Sequence, residues 1–283
     1  MKLVKKEGML SKELRLLRQR GKTIGFVPTM GFLHEGHLSL VKKARQENDI
    51  VVVSIFVNPV QFAPQEDFKT YPRDLKRDMK LLSGLCDYLF TPRAQQMYRA
   101  NFSTFVEVER LDDHLCGRAR KGHFRGVATV VCKLFNIVMP DCAYFGQKDI
   151  QQALIVKRLA RDLNYYTAIK ILPTVREKDG LAMSSRNTRL RACERSDAVV
   201  LFQALKSAQR LVSSGLTDTE KIKKILEDFI GHKESAKIDY VEIVDKASLE
   251  PVNRIEKEAL LALAVYIGKV RLIDNIELKT EKR

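Results

Sequence analysis

Apolar positions change their spacing several times along the chain. Ser11 to Arg20 reads as a polar helix, Thr23 to Val27 alternate and are β-prone, and from Leu38 the spacing turns helical and persists to about Glu47. Ile50 to Val57 is a continuous β-branched run of the kind buried on both faces of a parallel sheet. Shorter strand-like pieces recur at Tyr88–Phe90, Cys142–Phe145 and Thr167–Ile171, separated by helical patterns at Arg73–Leu82, Gly126–Val138 and Asp149–Leu163. Strands alternating with helices predict an α/β fold: a doubly wound parallel sheet with right-handed crossovers and ligands at the carboxyl ends of its strands.

The pattern changes over Val175 to Asn187 (VREKDGLAMSSRN), which is polar and reads as a loop. The division falls there, giving a Rossmann-like domain over 1–178 and a smaller α+β domain over 179–283. The second carries helical patterns at Ser196–Ser213 and Thr219–Gly231. Its β-prone runs are Lys237–Val244, Ala259–Tyr266 and Val270–Ile276, with a hairpin turn at Gly268 and Lys269. The last five residues, Lys279 to Arg283, are expected to fray.

Charge sharpens the picture of the first domain. The 283 residues carry 50 Lys and Arg against 35 Asp and Glu, net +15. Residues 1–178 hold 31 basic and 18 acidic side chains, net +13, whereas 179–283 hold 19 and 17, net +2. Such a field concentrates anionic partners. A merely well-solvated basic face and a nucleic-acid surface are the alternatives, but interleaved aromatics and a recognised binding motif are missing and Trp is absent, so no nucleic-acid partner is expected. Five cysteines without C-x-x-C pairing suit reduced thiols in a cytoplasm. Neither a signal-peptide core nor an apolar run of membrane-spanning length is present.

The chemistry concentrates in Thr23–Leu40, TIGFVPTMGFLHEGHLSL. Pro28 is expected to stop the strand, while Gly31 and Gly36 let the backbone approach a ligand. A helix beginning near His37 would leave its first N–H groups unpaired and its dipole aimed at the loop, so an anion is the natural guest. His34 and His37, three apart, can both donate to phosphate oxygens. Ordinary core-edge histidines remain the bland alternative. Zinc fits less well, because the helical zinc motif spaces its histidines by four. Gly146, Gln147, Lys148 and Asp149 make a second strand-to-helix turn with a lysine attached, and Met183, Ser184, Ser185 and Arg186 read either as a phosphate-closing loop or as a serine-capped helix start.

PTMGFLHEGHLSL resembles the H-x-G-H signature of the nucleotidylyl-transfer superfamily. FVNPVQF (Phe56–Phe62), YPRD (Tyr71–Asp74), GHFRGVATVVCKLFNIVMPDCAYFGQKDIQQ (Gly122–Gln152) and LAMSSRN (Leu181–Asn187) follow in order, and together they resemble the pantoate–β-alanine ligase family. The resemblance implies ATP-dependent condensation of pantoate with β-alanine through a pantoyl adenylate, with ATP as substrate, Mg²⁺, a homodimer and a C-terminal domain acting as a lid. It implies catalytic roles for His34, His37, Lys148 and Arg186. ATP contacts are implied for Met30, Gly31, Phe32, Leu33, His34, Glu35, Gly36, His37, Gly146, Gln147, Lys148, Asp149, Met183, Ser184, Ser185 and Arg186, and for Val175 through its backbone. Gln61 and Gln152 are implied at the substrates and Asp78 near the metal. RKGHF at Arg120–Phe124 departs from the family's RPGHF, so the shape of the Arg120–His123 loop is open. Other H-x-G-H adenylyl- or cytidylyltransferases and a fragment related to aminoacyl-tRNA synthetases are the alternatives.

Overall fold

The computed structural model describes residues 1–64 and 66–280, and among these ten α-helices and nine strands are formed. In chain order the strands are β1 (Lys2–Val4), β2 (Ile24–Thr29), β3 (Ile50–Ile55), β4 (Tyr88–Phe90), β5 (Cys142–Gly146), β6 (Ala168–Leu172), β7 (Ala236–Val244), β8 (Glu258–Ile267) and β9 (Val270–Lys279). The helices are α1 (Glu7–Gln19), α2 (Glu35–Glu47), α3 (Leu75–Leu81), α4 (Ala94–Met97), α5 (Leu115–Ala119), α6 (His123–Val138), α7 (Ile150–Asp162), α8 (Ala192–Asp197), α9 (Val200–Ser213) and α10 (Thr219–Gly231). The chain packs as two units. One comprises Met1–Glu109, Arg120–Gln147 and Gln152–Pro173; the other comprises Arg110–Ala119, Lys148–Gln151 and Thr174–Arg283. The sequence pattern places a single division after residue 178; the units divide at Thr174, and the second also takes in two short stretches from earlier in the chain.

In the first unit six parallel strands lie in the order β1-β4-β3-β2-β5-β6. From β2 the chain winds outward through β3 and β4, and from β5 it winds the other way to β6, so the order reverses between β2 and β5. A crevice opens at such a switch point, outside the carboxyl ends of the strands. Here those ends are Thr29 and Gly146. Val27, Val51, Val53 and Leu89 from the sheet meet Leu38, Val41 and Ala44 of α2 and Leu82 beyond α3, all buried. Each buried Val or Leu among them contributes about 1.5–3 kcal/mol by leaving water, so α2 is fixed with its first turn at the switch point.

Pro28 does not end β2, which runs on to Thr29. Thr23 and Thr29 carbonyls accept from Ile50 and Phe56 on the β3 side, so the even residues between them face β5. Pairing with β5 is registered only at Gly25 and Phe26, so at Pro28 no donor is needed and its missing N–H costs no ladder bond. Four helices also start earlier than their apolar patterns suggest, α1 at Glu7, α2 at Glu35, α6 at His123 and α8 at Ala192.

The second unit has an antiparallel sheet β7-β8-β9. Leu261, Leu263 and Val265 of β8 pack with Leu201, Leu205 and Ala208 of α9 and Ile222 and Leu226 of α10. Ile267 pairs with Val270 across Gly268 and Lys269, and Gly268 takes φ +57°, as a two-residue hairpin requires. The single helix read over Ser196–Ser213 is broken into α8 and α9. Ala198 and Val199 keep right-handed angles, and a Leu201 N–H bond to the Ala198 carbonyl (3.3 Å) tightens the junction into a 3₁₀ turn. Lys279 does not fray but ends β9, and the Thr280 N–H donates to the Lys257 carbonyl at 3.0 Å; 281–283 lie outside the described residues.

Candidate active site

The turn between β2 and α2 is stitched from below by Thr29, whose Oγ1 donates to the Ser54 carbonyl (2.8 Å) and accepts from the Gly31 N–H (3.2 Å). Gly31 has φ +83°, and a Cβ there would meet Ile55 Cγ2 at 2.8 Å, so only glycine fits. Phe32 follows with φ +51° and no such freedom. It is held there by Asp78, whose Oδ2 accepts from the Phe32 N–H and Oδ1 from the Leu33 N–H, both at 2.8 Å, while the Arg77 guanidinium lies 4.9 Å from the Phe32 ring centroid. Asp78, expected near a metal, is thus only 1% exposed with both oxygens engaged by the loop. Burial pushes its carboxyl above the usual range, against the pull of the two N–H bonds and Arg77.

His34 is the N-cap of α2, and its Nδ1 accepts from the Gly36 N–H at 3.2 Å. His37, three residues on, returns the bond: its Nδ1 accepts from the His34 N–H at 3.3 Å. The two imidazoles form a reciprocal capping box, with ring centroids 4.1 Å apart. A neutral imidazole that accepts at Nδ1 carries its proton on Nε2, so this network assigns both rings as Nε2–H donors. One sequence expectation changes as a result. The Gly36 and His37 amides are not left unpaired toward an anion, because His34 takes the Gly36 N–H and the His34 carbonyl takes that of His37 (2.8 Å). Imidazole N–H groups stand in their place.

Gln61 is buried at the end of a 3₁₀ turn, Pro59–Gln61. Its Oε1 accepts from Asn58 Nδ2 (3.0 Å), which turns its Nε2 toward Met30 Sδ at 3.2 Å. Asn58 is itself fixed, donating to the Gly126 carbonyl (3.0 Å) and accepting from the Tyr98 hydroxyl (2.7 Å). Gly126 permits this approach, since a Cβ there would sit 2.6 Å from the Val60 carbonyl oxygen. Sequence reasoning missed Asn58, although the Asn-Pro turn signal in NPVQF marks it. Arg120 donates to His123 Nε2 (2.9 Å), so the His123 proton is on Nδ1 and goes to the Gln61 carbonyl (2.8 Å). Arg120 also forks onto Glu66 at 2.6 and 2.7 Å. Burial raises the Glu66 carboxyl, but the Arg120 bonds and charge outweigh it and bring the group below its ordinary value. This web orders the Arg120–His123 loop despite Lys121 standing in place of proline.

Two concavities border these residues, one of about 280 Å³ beside Gln61, Phe62 and Arg120 and one of about 310 Å³ beside Met30, Phe32, Phe56 and Asp78. The first unit therefore gathers Met30 to His37, Gln61 and Asp78 around one end of its sheet. Gly146 and Gln147 close β5 at the switch point, and Gln152 is half-buried on the first turn of α7. Among the described residues no group of three or more His, Cys, Asp or Glu is placed to hold a metal ion.

The second unit carries the other expected residues. Lys148 lies 3.8 Å from the exposed Asp149, and its carbonyl accepts from Asn275 Nδ2 at 3.0 Å. Val175 to Met183 form a small hairpin rather than an open loop. The Met183 N–H donates to the Val175 carbonyl (3.0 Å), the Glu177 N–H to the Leu181 carbonyl (2.8 Å), and Arg176 bridges Ala182. Ser184 caps the 3₁₀ helix Ser185–Arg189, accepting from the Arg186 N–H at 3.2 Å, so the serine-capped start is present. Its own hydroxyl proton is not spent by that bond.

A doubly wound sheet with a histidine-capped strand-to-helix turn at its switch point defines a nucleotide-binding α/β protein of the H-x-G-H type. Comparison narrows the class. A family model described as pantoate-beta-alanine ligase matches residues 2–277. The pantothenate synthetase of Thermotoga petrophila is 54% identical over 276 residues, covering 97% of this chain and 99% of the relative. The crystal structure of pantothenate synthetase from Thermus thermophilus superposes with a TM-score of 0.92 at 43% identity, covering 98% and 99% of the two chains. That of the Francisella tularensis pantoate-beta-alanine ligase, complexed with beta-gamma ATP and beta-alanine, does so with 0.81 at 36%, covering 98% and 97%. The chain belongs to the pantoate-beta-alanine ligase family. It is an ATP-dependent acid–amine ligase: pantoate attacks the α-phosphate of ATP, pyrophosphate leaves, and β-alanine displaces AMP from the pantoyl adenylate to give pantothenate.

Proposed function

We propose that the β2–α2 turn is where adenylation occurs, with the Nε2–H groups of His34 and His37 donating to the phosphates of ATP. The observation that carries this reading is the reciprocal cap, because it fixes both tautomers as donors before the nucleotide arrives. Pantoate is already a carboxylate at neutral pH, its reference pKa near ~4, so attack needs placement and charge stabilisation rather than a strong base. Gln61 Nε2, oriented by Asn58, is a neutral donor suited to pantoate's oxygens, and an amide does not neutralise the nucleophile. Gln152 is assigned to the same substrate. Lys148 and Arg186 are assigned to the phosphates that depart, with Ser184 and Ser185 as hydroxyl donors beside them and the Val175 backbone at adenine.

Asp78 is assigned to the loop. Magnesium fits this donor set as an ion carried by the triphosphate, which with water supplies most of its ligands and whose charge it partly neutralises. Second-step chemistry asks the protein for a held amine and excluded water. The enzyme is further proposed to work as a homodimer through its N-terminal domain, in the cytoplasm, where its five free thiols would stay reduced. A monomeric mass by light scattering at micromolar concentration would refute the dimer.

His34→Asn tests the central assignment, because Asn is a good N-cap and keeps the acceptor for the Gly36 N–H while removing the imidazole donor. Pyrophosphate exchange should fall by roughly 10²-fold or more, the usual loss for one transition-state donor, with the melting temperature little changed. Normal exchange would remove the His34 donor from the mechanism.

A further inference from the structure

Strand β9 alternates apolar residues toward the helices of its unit: Val270, Leu272 and Leu278 are buried in the core with α9 and α10, and Ile276 packs against it. Asp274 occupies that same apolar register and is only 2% exposed. A buried carboxylate in such a row is costly, and replacing a whole buried ion pair with apolar side chains of similar volume is often neutral or stabilising. Asp274 is matched by Arg176, whose two terminal nitrogens reach its oxygens at 2.6 and 3.0 Å. Arg176 lies in the Val175–Met183 hairpin, also donates to the Gly180 carbonyl (3.0 Å), and stacks 4.7 Å from the Phe202 ring centroid.

The next residue, Asn275, is 3% exposed and, by the two-residue period of a strand, faces the opposite side of the sheet. There its Nδ2 donates to the Lys148 carbonyl at 3.0 Å. Its backbone N–H donates to Asp274 Oδ1 at 2.8 Å, so the two side chains are linked through their own backbone. Two stretches separated in sequence, the Lys148 turn and the hairpin leading to Ser184 and Arg186, are thereby pinned to neighbouring positions of one rigid strand.

We propose that Asp274 and Asn275 are positioning residues for adenylation, setting the spacing between the Lys148 turn and the Arg176 hairpin. The inference rests on the assignment of Lys148 and Arg186 to the departing phosphates. Neither Asp274 nor Asn275 is assigned a contact with substrate. Each acts through a backbone or guanidinium that fixes a phosphate-binding segment. Only the first half-reaction involves those phosphates, so misplacing the segments should slow adenylate formation and spare its consumption.

The test compares both half-reactions in single turnover, from ATP with pantoate and from supplied pantoyl adenylate with β-alanine. Asn275→Asp keeps the shape but opposes a carboxylate to the Lys148 carbonyl. Asp274→Asn keeps the shape but gives Arg176 one acceptor in place of two. Adenylation should fall about tenfold to a hundredfold in each, as for a misplacement of the order of 1 Å, with the second half-reaction within about twofold of wild type. Thr219→Val is the control, because it removes a buried side-chain bond to the Val252 carbonyl in the same unit and should leave the two half-reactions in their wild-type proportion.

Should either β9 variant fail to fold, Arg176→Lys carries the same test, since it keeps the charge and loses the fork. Equal losses in both half-reactions, or an unchanged adenylation rate, would overturn the proposal. Arg186→Ala, run alongside, separates two failures. If it slows adenylation selectively while the β9 variants do not, the positioning role alone is lost. If Arg186→Ala slows both steps equally, the phosphate assignment falls and the positioning role falls with it.

Discussion

Asp78 shows what a single side chain does for the site. Two consecutive backbone N–H groups, at Phe32 and Leu33, need acceptors where the turn takes left-handed angles, and a carboxylate is the side chain that offers two oxygens and no donor. Asp78→Asn keeps the volume but presents one oxygen and one NH₂, leaving an N–H unsatisfied. We predict a loss of about 1–3 kcal/mol, read as a lower denaturant midpoint with an unchanged m-value. A variant as stable as wild type would show that the turn is held by something else. The histidine spacing and the GQKD block are readable in sequence because each is local. Asp78 stands out there as well, but its partners lie 45 and 46 residues away, and no spacing rule exposes a contact of that kind.

Elements are tied to one another in ways the same limit conceals. Glu47 ends α2 and accepts from Lys170 of β6 (2.7 Å), pairs with Lys43 (2.9 Å) and accepts from Tyr144 of β5 (2.8 Å). Lys170 foremost, then Lys43 and Tyr144, hold its carboxyl from the ordinary 4.5 down to about 2. A depressed folded pKa contributes stability above the unfolded value that is lost as pH falls toward the folded one. Acid unfolding should therefore steepen between pH 4.5 and about 2, and Lys170→Met should flatten that part of the stability curve. An unaltered curve would deny the link.

Helix α6 and the Gln61 turn meet through Gly126, where a Cβ would press on backbone atoms of Val60 and Gln61 at 2.6–2.7 Å. Gly126→Ala must displace that turn, at a cost of about 1–3 kcal/mol. Pantoate KM should rise more than ATP KM; equal effects on both would mean that the turn does not serve pantoate. Periodicity predicts nearly every long element, while β1, a three-residue edge strand, the short helices α4 and α5, and the α8–α9 break escape it. None alters the apolar pattern: β1 offers only Leu3 and Val4 between lysines, α4 and α5 are about one turn each, and the α8–α9 junction keeps helical angles. Pro28 misleads in the opposite sense, because whether a missing N–H matters depends on which neighbour the residue faces.

At the scale of the whole molecule, the charge and the chemistry agree. Residues 1–178 carry net +13, and every substrate is ionised at neutral pH, ATP and pantoate as anions. The kcat/KM for ATP should fall with rising salt while kcat holds, since screening weakens approach rather than chemistry. A salt-independent kcat/KM would show that the basic excess is only a solvated surface. The proposed mechanism requires adenylation to be a separate step at the histidine-capped turn. ATP–pyrophosphate exchange, followed with labelled pyrophosphate, reads that step alone. Exchange that requires pantoate and proceeds at full rate without β-alanine is the expected result. Exchange that waits for β-alanine, or that ignores pantoate, would contradict it.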